Sequence, residues 1–186
     1  MTDEADLRVF EILRSKLLRP NIILAGGFVL VSLVLFRPLI ASLILIALGA
    51  VSIIYKRYVS IGIDLELCSL CAIAIGSRYG VTAGAVSGGI SILLALLLNG
   101  HFMENPFFAG IKMITYAGLG ALAAIFATSN LTFMAGAYTF VADAIFVVIA
   151  MQTGGNAGKL IVFLVTHPLI VVYQLKLLLP LARALL

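Results

Sequence analysis

The stretch VTAGAVSGGISILLALLLN, residues 81–99, carries no charged side chain, and it is one of several such runs separated by short polar breaks. This succession constrains the chain more than any single motif. Inside a bilayer every backbone polar group must be satisfied within the protein, and helices do this segment by segment. Apolar runs fall at 21–36, 38–55, 64–77, 81–99, 107–127, 131–151 and 159–179. Between them lie Arg37-Pro38, Lys56-Arg57, Ser77-Arg78-Tyr79-Gly80, Asn99-Gly100-His101, Thr128-Ser129-Asn130 and Gly154-Gly155-Asn156, all charge clusters or turn formers. A span takes roughly 20 apolar residues and at least about 17, so 21–36 and 64–77 are short, although the second can borrow from 59–63. The expectation is an all-α, polytopic membrane protein. It forms a bundle of six transmembrane helices, or seven if 21–36 also crosses.

Composition supports that class. A soluble core of 186 residues could not hide a chain that is 63% hydrophobic and only 11% charged. Residues 21–186 therefore read as one integral domain in the cell membrane, passing it several times and surrounded by lipid. Residues 1–20 read differently. Leu7, Phe10, Leu13, Leu17 and Leu18 recur at helical spacing, acids come first and bases last, and Pro20 closes the run. That pattern suits an amphipathic helix lying at the interface. Its mixed charge is unlike a cleavable signal. The net charge of +4 is spread along the chain without a dense basic tract, which excludes a nucleic-acid surface.

Small residues mark where helices approach. Gly76, Gly80, Gly84 and Gly88 fall four apart, with Ala83, Ser87 and Ser91 in a second row and Ala117, Gly120, Ala121 and Ala124 on a later helix. In lipid such rows let backbones pack closely. No phosphate-cradle pattern accompanies these glycines. Cys68 and Cys71 share a helix face, but two thiols do not close a zinc site, so the pair reads as packing. His101-x-x-Glu104 offers half a metal site at most. No metal, cofactor or catalytic constellation is expected.

The ionisable residues fall on one side. With alternating spans, the loops before 64, between 99 and 107, and between 151 and 159 face the same way. Counting about 1.5 Å per residue from that side, Lys112 lies roughly 8 Å down, Asp143 roughly 13 Å and His167 roughly 12 Å, with Thr115 and Tyr116 near that level. Asp64 and Glu66 are expected at the rim, and His101 and Glu104 in the loop. Charges at such depth are costly and mark function. The candidate ligand-binding set is Glu66, His101, Lys112, Tyr116, Asp143, Asn156 and His167. Lys112 and His101 suit an anionic ligand, whereas Asp143 and Glu66 suit a cation or amine. The far side holds only Arg78, Thr128-Ser129-Asn130 and Arg183, with no cavity expected there.

LELCSLCAIAIGSRYGVTAGAVSGGISILLALLLNG (65–100), NPFFAGIKMITYAGLGALAAIF (105–126) and THPLIVVYQLKLLLPLARAL (166–185) together resemble the substrate-binding S component of energy-coupling-factor vitamin transporters. An acidic residue opens a helix, a Tyr-Gly turn leads into a Gly-rich helix, and a second Gly/Ala-rich helix follows a polar loop. The resemblance implies a small-molecule-binding, non-enzymatic membrane subunit that joins a transmembrane coupling protein and ATPase subunits. It places the pocket under the loops 56–63, 99–107 and 151–159. Two other functions fit a similar layout. One is a scaffold like the MreD-type rod-shape proteins; the other is a lipid-modifying enzyme using Asp143 and His167.

Overall fold

The computed structural model describes residues 36–58, 65–100, 105–127 and 130–186, together with 24, 26–29 and 31–32. Every regular element among them is helical. In chain order these are α1 (Arg37–Ser52), a 3-10 turn (Ile54–Arg57), α2 (Cys68–Tyr79), α3 (Val81–Asn99), α4 (Pro106–Ile125), α5 (Leu131–Gln152) and α6 (Ala157–Leu185). The last four are long and apolar enough to cross a membrane. Their outer faces are apolar as well: Ile114, Phe133 and Leu169 are exposed. The expected amphipathic helix 1–20 lies outside the described residues, as do parts of 21–36. Residues 40–186 form one packed unit distinct from 1–39, and it is this unit that holds the site.

Two local rules set the helix ends. Asn105 and Asn156 accept backbone N–H groups from Phe108 and Lys159, capping α4 and α6, and Pro106 begins α4 where a missing N–H costs nothing. Gly80 ends α2 and starts α3 at φ 94°, ψ −179°, a conformation open essentially to glycine alone. The helix therefore breaks at that residue and continues through Ser77, Arg78 and Tyr79, which the sequence pattern assigns to the turn.

α2, α3 and α4 meet through bare backbone. A Cβ on Gly84 would fall on the Gly120 carbonyl and the Gly76 backbone, and one on Gly88 would strike the Tyr116 carbonyl. Three of the four spaced glycines thus pack as small residues do in lipid. Gly80 is the correction: nothing lies within 4 Å of where its Cβ would be, and its task is the turn. Cys68 and Cys71 are buried and unoxidised in this core, with the Cys68 backbone against Gly49 of α1.

α5 and α6 pair antiparallel, Gly136 facing Val172. They join the three-helix core through buried apolar residues, Val171, Leu175 and Leu179 among them, and through polar links. Tyr138 donates to the Thr115 carbonyl (3.2 Å), Tyr79 to the Leu186 carbonyl (2.8 Å), and the Arg183 guanidinium to the Ser77 hydroxyl (3.1 Å).

Candidate functional site

Glu66, Asp143 and His167 come from the entry to α2, from α5 and from α6, and they converge. Each is almost wholly enclosed, with 1%, 4% and 3% of its surface exposed. His167 Nδ1 lies 2.7 Å from Asp143 Oδ2. The other ring nitrogen, Nε2, lies 3.4 Å from Glu66 Oε1 and 3.5 Å from the Tyr116 hydroxyl. With Asp143 ionised the short contact orients the ring: the carboxylate accepts, so Nδ1 carries the hydrogen and donates to it. Nε2 is then the variable end. In the neutral ring it accepts, which suits Tyr116; in the charged ring it donates, which suits Glu66. Both partners on that side stand farther off than the Asp143 oxygen.

Aromatic and polar groups surround the cluster. Phe163 stacks on His167 with ring centres 5.0 Å apart and planes 17° apart. Phe146 meets Phe163 edge-on at 5.9 Å, and the Lys112 ammonium sits 5.7 Å from the Phe146 centre, within cation–π reach. The Gln174 amide donates to the Glu66 carbonyl at 2.8 Å, tying the start of α2 to α6. Glu66 itself accepts the Ser69 N–H at 3.1 Å through Oε2, an acid satisfying the first turn of a helix where the backbone dipole favours it. Two buried atoms beside Glu66, Ser69 Oγ and Gln174 Oε1, have no hydrogen-bond partner among the described residues.

The depth count from sequence places Asp143, His167 and Tyr116 at one level, and the structure brings their side chains together. It moves Glu66. Because Glu66 Oε1 reaches His167, that residue lies at the level of the cluster and not at the rim. The cause is the length of α2: twelve residues, about 18 Å at 1.5 Å per residue, against a hydrocarbon core of about 30 Å. α2 is short, and its first residue, Cys68, is buried. Asn156 also takes a different position. It is exposed and caps α6, away from the cluster. His101, Glu104 and Asp64 lie outside the described residues.

Two participants escape the sequence reading. Phe163 precedes His167 by four residues and Gln174 follows it by seven, spacings that put all three on one face of α6. A polar Gln174 in that apolar run is the signal that could have found it. The far end is not featureless either, since a groove of about 670 Å³ opens between α5 and α6 there, with Lys176 and Arg183 among its lining residues.

Comparison of the chain with protein families, with curated proteins and with solved structures finds no match.

Proposed function

We propose that this protein is the substrate-binding membrane subunit of an energy-coupling-factor-type uptake system, crossing the cell membrane several times. Its solute would be small, with an amine or protonated ring nitrogen. The observation that carries this reading is the meeting of Glu66, Asp143 and His167 from three separate elements, each at most 4% exposed. Burying ionisable groups in a membrane bundle is costly, and they are retained chiefly where a solute or proton must be handled. A short helix whose first residue is buried supports the same reading, because broken helices with polar starts build solute sites in many transporters. Two carboxylates favour a cation, and the rings of Tyr116 and Phe163 suit its flat or alkyl part. Ser69 Oγ and Gln174 Oε1 supply unspent polar atoms for orientation. A transmembrane coupling protein and ATPase subunits are the partners this reading implies, with no cofactor.

The test is thermal stabilisation of purified protein by a panel of vitamins, nucleobases and amines, with native mass spectrometry for a co-purified small molecule. Asp143→Asn keeps the shape and removes the charge, so it should weaken binding by about 10- to 100-fold, the worth of a charge-assisted hydrogen bond. A folded protein that responds to no member of the panel sinks the proposal.

One observation favours a second reading. Asp143, His167 and Glu66 face one another, as a structural pin would. A scaffold of the MreD type would then be the function, with capture of a partner membrane protein and no small-molecule response.

A further inference from the structure

At the opposite end from the buried cluster, the groove between the first half of α5 and the last half of α6 combines an apolar wall with two cations. Leu131, Phe133 and Val172 supply part of the wall, while Lys176 and Arg183 stand on the α6 side. Both basic side chains are exposed and sit seven residues apart, so they lie on the same face, two helical turns from each other. The acceptor balance is one-sided: beyond Asp143 the chain contains no Asp or Glu at all. Pairing Asp143 with His167 and Gly136 with Val172 fixes the register, which brings Asn130 to the level of residues 178–180. The apolar part of the groove thus lies within the span and the cationic part at its end. Asn130 makes no side-chain cap to α5, so the first amides of that helix add positive potential at the same end.

We propose that this groove holds an anionic phospholipid, with its acyl chain along Phe133 and Val172 and its phosphate between Lys176 and Arg183. A zwitterionic lipid would satisfy the apolar wall equally well but would bring its own cation to the two bases. Each basic side chain near a membrane surface is worth about a fivefold preference for an anionic headgroup. The site depends on neither the cluster around His167 nor its proposed solute.

The chain has no tryptophan, which makes a direct test available. Phe133 is exposed, so Phe133→Trp places a single fluorophore on the groove wall. In proteoliposomes containing brominated phosphatidylglycerol or brominated phosphatidylcholine at equal mole fraction, the anionic lipid should quench this tryptophan preferentially. Lys176→Gln, which leaves the contact of Arg183 with Ser77 in place, should reduce the preference by about fivefold, and the double variant with Arg183→Gln should abolish it. Unfolding temperatures confirm that each variant is folded. Equal quenching by the two lipids overturns the proposal, as does a preference that survives in the double variant. Weak quenching by both also overturns it, since the groove would then be covered by protein.

Discussion

The contact among α2, α3 and α4 and the contact that joins α5 and α6 to them use opposite means. In the first, Gly76, Gly84, Gly88 and Gly120 bring backbone against backbone, beside a cluster of buried side chains that includes Ile92, Leu96 and Ala109. In the second, Glu66, Asp143, His167, Tyr116 and Gln174 meet side chain to side chain. The glycine region has no room for volume and is indifferent to charge. The polar region is as enclosed, but it depends on which groups are charged. A membrane protein gains little from apolar contact between helices, because lipid is as apolar as leucine. Close backbone approach and polar links are the two alternatives, and this chain centres them in different parts of the bundle, with Tyr116 reaching both.

That separation can be broken most sharply at His167. Replacing it by leucine keeps much of the volume and leaves two buried carboxylates facing each other. The expected loss is about 3–5 kcal/mol, the cost of stripping one partner from a buried charge pair, measured by chemical unfolding in detergent. If Glu66→Gln and Asp143→Asn are added and stability returns while ligand response stays absent, the cluster serves binding more than folding. Full stability in His167→Leu alone would erase the contrast between the two regions.

A methyl group on Gly84 should cost less, about 1–3 kcal/mol for overpacking, and should leave the cluster chemistry intact. Unfolding and ligand-induced thermal shift measured on the same Gly84→Ala sample separate these effects. A change in ligand affinity comparable to that of a cluster variant would show that the two regions are coupled. The smallest effect is expected at Gly89. It neighbours Gly88 in α3, yet nothing lies within 4 Å of its would-be Cβ. Gly89→Ala should be neutral or more stable by up to about 1 kcal/mol, the difference in helix propensity. Destabilisation there would mean that glycine matters in α3 for reasons other than contact.

The two regions also differ in how far the sequence revealed them. The level shared by Asp143, His167 and Tyr116 follows from span alternation and a fixed rise per residue, so it was readable. The depth of Glu66 was not. Nothing in IDLELCSL distinguishes a helix that starts at Cys68 from one that starts four residues earlier, since the whole run is apolar enough for either. Spacing by four picks out three contact glycines together with Gly80, which the turn pattern also marks, because periodicity cannot tell a glycine chosen for its missing side chain from one chosen for its backbone angle. Asn156 sits among turn formers, and its side chain accepts the Lys159 amide N–H as a helix cap. Gln174 was overlooked for a simpler reason: its donor goes to a backbone carbonyl of a distant residue, and tertiary partners of that kind leave no local trace.

The brevity of α2 concentrates its hold on the rest of the bundle. Twelve helical residues offer about three turns of contact, and Gly76, which meets both Gly84 and Gly120, supplies one of the closest. Loosening that contact would free the helix whose entry carries Glu66 to His167. A packing residue near one end of α2 therefore sets the aim of an acid at the other.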